Sequence, residues 1–313
     1  MKIMFMGTPE FAVPSLLALY NEKDFEVCAV VTNPDRPKGR GHKMVHSPVY
    51  ETAFEHNTPI YQPQNLKKEN FEEILNEVKP DLIAVVAFGM LLPEYVLNYP
   101  KYGCINVHGS LLPKYRGAAP MQWCVINGET KTGITTMYMD KGLDTGDMLL
   151  KEECDILPDD TYEDVHNKLT VMGARLLITT IKGIIAGTVE RIPQNEAEST
   201  YVSVVDKSIS FINWENSAQS IHNLVRGLYP YPKAQTFLNG KSLKVLKTRI
   251  TANIHSKTNG TVLSADKEGF FVACGNNSVL EILTVQPEGK KAMDSQSYLL
   301  GNKIENNTIL GVD

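Results

Sequence analysis

Two residues two apart, Asn106 and His108, close the apolar segment that begins at Gly103. On an extended chain, side chains at i and i+2 share a face, so a carboxamide and an imidazole stand side by side. The amide N–H can donate to an oxygen that is gaining negative charge, and the imidazole can move a proton at neutral pH. Together they suit acyl transfer. A third ingredient, a carboxylate to orient His108 and offset its charge, is supplied by the turn DKGLDTGD, which carries Asp140, Asp144 and Asp147. An ordinary Asx turn accounts for one or two of these three, and residue type alone does not say which.

Ligands of an open α/β sheet gather at the carboxyl ends of its strands, so the strands around this pair set the site. Lys2–Met6, Val27–Thr32, Asp81–Phe88 and Gly103–Val107 are short, almost continuously apolar runs separated by helical patterns. That alternation predicts a Rossmann-like α/β domain with a mostly parallel sheet covered on both faces. Thr8 is placed to cap a helix with Pro9 in its first turn, and 33–47, with two Pro and two Gly, reads as a long exposed loop. Asp81–Phe88 runs out into the apolar turn GMLLP, and Gly103–Val107 into HGSLLPKYRG. Gly133–Met139 and Asp147–Lys151 predict two further strands, and Thr161–Ile185 a long amphipathic helix. Beyond residue 207, short β-like runs separated by Asn239-Gly240 and Asn259-Gly260 predict a small antiparallel, OB-like β-barrel. The expected domains are 1–189 and 207–313, with 190–206 as a linker.

Composition narrows the function classes. The 313 residues are 42% hydrophobic and 21% charged, which excludes a wholly disordered or collagen-like chain. No run of about 18 uncharged apolar residues occurs, so no membrane partner is expected. The opening MKIMFMG lacks the pattern of a signal peptide, and five Cys form no CxxC pair. Reduced thiols in a cytoplasmic protein are the expectation, with no metal site. A single Gly7 before Thr8-Pro9-Glu10 replaces the G-x-G-x-x-G of a dinucleotide site. The net charge of −5 divides unevenly: residues 1–206 carry −9 and 207–313 carry +4. Between Asn216 and Ala265 there are seven basic residues and no acidic one, which points to a polyanionic ligand.

The run INVHGSLLPKYRGAAP at 105–120, together with GLDTGDML at 142–149, closely resembles the folate-dependent formyltransferases. MGTPEFAVPSL at 6–16, NPDRPKGRG at 33–41 and RGLYPYPKA at 226–234 resemble the methionyl-tRNA formyltransferase branch of that family. The resemblance implies transfer of the formyl group of 10-formyltetrahydrofolate to the α-amino group of methionine on charged initiator tRNA. It implies Asn106, His108 and Asp144 as catalytic residues. It implies a folate pocket formed by Phe88, Gly89, Met90 and Leu92 with Ser110, Leu111, Leu112 and Pro113. The basic loop matches the family's insertion toward the tRNA acceptor end, making Arg40 the main expected contact, helped by Arg36, Lys38 and Lys43. A monomer without metal is expected.

The sequence departs from the family pattern at three positions. Lys114 and Tyr115 stand where Arg and Trp are common, and Trp123 stands where a second basic residue is common. Competing readings are a glycinamide ribonucleotide or sugar-amine formyltransferase, a 10-formyltetrahydrofolate hydrolase, and a non-catalytic RNA-binding protein on the same scaffold. The second domain and the basic loop disfavour the first two.

Overall fold

Continuous apolar strands build the centre of one part of the chain. Ile3–Met6 and Leu82–Val86 are buried throughout, Cys104–His108 over most of its length, and Glu26–Val31 over its second half. The computed structural model describes residues 1–38 and 43–311 and divides the chain into two compact units. The first comprises Met1–Pro120, Lys131–Cys154 and His166–Ser203; the second comprises Met121–Thr130, Asp155–Val165 and Val204–Asp313.

The first unit holds a seven-stranded sheet in the order Met148–Asp155, Lys131–Tyr138, Cys104–His108, Leu82–Val86, Lys2–Gly7, Glu26–Val31, Ile60–Tyr61. From Cys104–His108 to Ile60–Tyr61 every pairing is parallel, and Lys131–Tyr138 pairs antiparallel with Cys104–His108. The fold is therefore the mostly parallel α/β sheet that the apolar runs predict. On one face the helix Lys68–Val78 buries Phe71, Leu75 and Val78 against Met4, Met6, Ile83 and Val85. The helix Tyr162–Ala186 sets Gly173 beside Val107 and Ile134, and Thr180 shares a 2.8 Å hydrogen bond with Thr136. By length and composition this helix is long and apolar enough to cross a membrane, although it includes charged residues. In the structure Leu177 and Ile181 are fully buried.

Three local expectations change. Thr8 caps no helix: its Oγ1 accepts the Asn33 N–H at 3.3 Å, and the first helical turn is a 3-10 turn, Glu10–Ala12, preceded by Pro9. Residues 33–47 are not wholly loop, because Arg36–Lys38 and Lys43–Val45 pair as an antiparallel hairpin. Gln62 Nε2 ties the hairpin base to Asn33 O and Asp35 Oδ1 at 3.0 and 2.8 Å, and His46 Nδ1 lies 2.8 Å from Asp35 Oδ2. The segment 190–206, expected to link domains, is itself anchored to the first unit: near its end Tyr201–Val202 pairs in parallel with Arg116–Gly117.

The second unit is built on an antiparallel sheet in the order Ala234–Leu238, Lys241–Ile254, Ser278–Pro287, Gly269–Ala273, Val262–Asp266. The C-terminal segment spans its two edges. Leu310 N donates to Gly260 O next to the last strand, and Gly311 N donates to Phe237 O of the first, both at 2.9 Å.

The helix Ala218–Gly227 buries His222 and Arg226. His222 shares a hydrogen bond with Thr248 Oγ1 at 2.9 Å and donates from Nε2 to Pro158 O at 3.2 Å; Arg226 Nη1 donates to Asp160 O at 2.9 Å. Burial is the main reason the His222 pKa lies below its usual value of 6.5, with the Arg226 charge acting the same way and Asp159 opposing. The unfolded chain therefore takes up this proton before the folded one does, so stability is full above pH about 6.5 and falls as the pH drops through the lower folded value. Thermal melts between pH 7.5 and 5 are expected to show that decline, and His222→Gln to flatten it.

Candidate functional site

Cys104–His108 lies between Leu82–Val86 and Lys131–Tyr138, with Asn106 opposite Val85 and His108 opposite Thr135. Asn106 is half-buried and His108 only 5% exposed. Both converge on one carboxylate. Asn106 Nδ2 donates to Asp144 Oδ1 at 3.5 Å, and His108 Nδ1 lies 3.7 Å from Asp144 Oδ2. On the other side of the ring, His108 Nε2 is 2.9 Å from Tyr115 O. A carbonyl only accepts, so this partner assigns a proton to Nε2 and leaves Nδ1 as the basic nitrogen facing Asp144.

The turn separates its three aspartates. Asp140 Oδ1 accepts from Gly142 N at 2.9 Å and Thr145 Oγ1 at 2.6 Å, an Asx turn, while Asp147 pairs with Arg191 at the surface. Asp144 alone reaches the Asn–His pair, and its Oδ2 also accepts the Gly117 N–H at 2.9 Å. Asp144 and Tyr115 have left-handed backbones, φ +55° and +61°, each costing about 1–2 kcal/mol. Neighbours hold both. Gln194 Nε2 donates to Asp144 O and Gly146 O at 2.8 Å each, and Tyr115 N donates to Thr200 Oγ1 at 2.8 Å.

Behind this lies Arg116, the largest fully buried side chain among the described residues. Its Nε donates to Gln194 Oε1 at 3.0 Å, Nη1 to Glu196 Oε2 and the Tyr201 hydroxyl, and Nη2 to Glu196 Oε1 at 2.8 Å. The bidentate carboxylate fork accounts for a guanidinium tolerating complete burial. Gln194 and Thr200 lie outside every motif that the sequence offered, and Arg116, inside the 105–120 run, takes no role from it. Polar residues in an aperiodic stretch give no signal of which one turns inward.

The residues expected around folate divide by exposure. Phe88, Leu92, Ser110 and Leu112 are buried, so they shape the two turns from within. Phe88 O accepts from Asn33 Nδ2 at 3.1 Å, Ser110 Oγ donates to Lys114 O at 2.7 Å, and Leu112 is held by Thr135 Oγ1 on its N–H and by Lys151 Nζ on its carbonyl. Burial lowers the Lys151 pKa. Gly89 and Leu91 are exposed, and Met90, Leu111 and Pro113 partly so. Gly89 has φ +80°, and Leu91 keeps 65% of its surface, an apolar turn presented outward beside the strand of Asn106.

Of the basic residues, Arg36 is exposed on the hairpin, where Lys38 and Lys43 pair through their backbones; Arg40 lies outside the described residues. In the acid-free stretch, Arg226 is buried and Arg249 is paired with Glu281, while Lys241, Lys247 and Lys257 are exposed. The positive face is smaller than the count of seven suggests. Among the described residues no group of His, Cys, Asp and Glu could hold a metal ion.

Comparison with known proteins gives the family and the fold. A family profile described as "Formyl transferase" matches residues 1–181, and one described as "Formyl transferase, C-terminal domain" matches 205–303. A methionyl-tRNA formyltransferase of Acetivibrio thermocellus is 48% identical over 312 residues, covering 99% of this chain and 100% of that protein. One of Clostridium perfringens is 51% identical with the same coverage. An N-formyltransferase of Helicobacter canadensis, solved with folinic acid and dTDP-3-aminofucose, shares the fold at TM-score 0.68 and 22% identity, covering 92% of this chain and 99% of that one. HypX of Aquifex aeolicus, solved with tetrahydrofolic acid, shares it at TM-score 0.60 and 15% identity, covering 95% of this chain and 46% of that one. Matched by family profiles in both its parts and by curated relatives end to end, this chain belongs to the methionyl-tRNA formyltransferase family.

Proposed function

We propose that this chain transfers a formyl group from 10-formyltetrahydrofolate to the α-amino group of methionine carried by initiator tRNA, with Asn106, His108 and Asp144 acting on the reacting atoms. The observation that carries the reading is the convergence of Asn106 and His108 Nδ1 on Asp144 at a strand end, with His108 Nε2 tied to Tyr115 O. The folate supplies an activated formyl group on nitrogen. The exposed turn at Gly89–Leu91 and the partly exposed Leu111 and Pro113 offer the flat apolar surface that a pterin needs.

Attack by the neutral amine makes the formyl carbon tetrahedral and puts negative charge on its oxygen. Asn106 Nδ2 is the donor for that oxygen. The nitrogen loses its proton to His108 Nδ1, and the imidazolium so formed faces Asp144 Oδ2. Collapse breaks the bond from the formyl carbon to the folate nitrogen, which takes the proton back from His108. All these groups come from one chain, so a monomer suffices. A charged-tRNA substrate places the work in the cytoplasm.

The deciding assay supplies 10-formyltetrahydrofolate with methionyl initiator tRNA and measures N-formylmethionine released from the tRNA. Transfer to glycinamide ribonucleotide or to an amino sugar nucleotide instead, or tRNA binding without turnover, would overturn the reading. Phosphate contacts by the hairpin and by Lys241, Lys247 and Lys257 release counterions on binding. Raising salt from 50 to 200 mM is therefore expected to raise KM for tRNA steeply while KM for the folate changes little.

A further inference from the structure

We propose that Gln194 is a positioning residue for formyl transfer, acting through Asp144. Its carboxamide spends every polar position on one task. Nε2 donates to Asp144 O and Gly146 O at 2.8 Å each, and Oε1 accepts from Arg116 Nε at 3.0 Å. An arginine only donates, so Arg116 fixes which end of the amide faces the turn. Arg116 is in turn locked by Glu196 and Tyr201, and it is completely buried. The two carbonyls that Gln194 bridges flank the only stretch of the turn whose carboxylate meets Asn106 and His108, and Asp144 holds a left-handed backbone there. The same segment reaches the other side of His108, because Thr200 Oγ1 holds Tyr115 N and Tyr115 O holds His108 Nε2. The chain just before the second unit thus braces both partners of the imidazole.

The inference rests on the proposed role of Asp144, and the test separates the two. Gln194→Glu keeps the shape and the Arg116 contact but removes both donors to the turn; Gln194→Met removes them without adding charge and carries the same test if the first variant does not fold. Either is expected to lower kcat for formyl transfer about tenfold or more, with KM for both substrates within about threefold and secondary structure unchanged by circular dichroism. Asn195→Ala, which removes the cap on the neighbouring Glu196–Glu198 turn and no contact to Asp144, is expected to leave kcat as it is. In an Asp144→Ala background the Gln194 substitutions are expected to cost nothing further, since coupled residues are non-additive. An unchanged kcat in the Gln194 variants, or the same fold-loss with and without Asp144, overturns the positioning role. Near-normal turnover of Asp144→Ala itself overturns the reading of Asp144 instead.

Discussion

His108→Ala is expected to lower kcat for formyl transfer by at least about a hundredfold, the lower end of what a positioned proton acceptor contributes. The imidazole is 5% exposed, its Nε2 is committed to Tyr115 O, and only Nδ1 is directed at the carboxylate. A water in the space left by alanine would spend its protons on the Tyr115 carbonyl and the Asp144 carboxylate and is a far weaker base than imidazole. Asn106→Ala is expected to cost a similar factor, because losing one oxyanion donor costs about 2.7–4 kcal/mol of barrier. Asp144→Ala removes the charge facing Nδ1 and also the acceptor for Gly117 N and Asn106 Nδ2. On the proposed roles, the losses should appear in kcat at saturating folate and tRNA. The double variant His108→Ala with Asp144→Ala should be scarcely worse than either single one. Near-wild-type kcat in any folded single variant would sink the assigned role.

The sequence made the strand ends legible because burial on both faces leaves unbroken apolar runs, and a strand of that kind ends where its first polar residues begin. Asn106 and His108 fell on one face for the same reason. Residue type alone left Asp140, Asp144 and Asp147 equal on one turn and only the resemblance singled out Asp144; the folded path sends Asp140 to Thr145, Asp147 to Arg191 and Asp144 inward. Arg116 was illegible for a different reason. A basic residue in a polar stretch reads as solvated, and its complete burial depends on Glu196, 80 residues away, whose carboxylate is itself largely exposed. Closure of the second sheet by residues 307–311 is equally non-local, since two carbonyls from opposite edges define it. Pattern carries what neighbours in sequence decide, and these pairings are decided by neighbours in space.

Gly117→Ala is expected to damage the site without touching any side chain in it. Gly117 has φ +107°, a backbone that residues with a Cβ rarely adopt, and a Cβ built there collides with Val202 O. Relief requires either rotation of the Gly117 peptide or displacement of Tyr201–Val202 from its pairing with Arg116–Gly117. Rotation turns away the N–H that holds Asp144 Oδ2 at 2.9 Å; displacement draws Tyr201 off the buried Arg116 and disturbs Thr200 under Tyr115. Either route reaches the Asp144–His108 pair, one through the carboxylate and the other through the ring. A fall in kcat of about tenfold or more is expected, together with a lower melting temperature, because strained backbone and an unpaired buried donor both weaken the fold. Gly89→Ala is the informative contrast: it also has positive φ, but nothing stands closer to its added Cβ than Asn33 Nδ2 at 3.9 Å. Its backbone strain without collision should cost stability and KM for the folate while kcat holds. Equal kcat losses in the two variants would mean that left-handed backbone alone, not the Gly117 contact to Asp144, accounts for the effect.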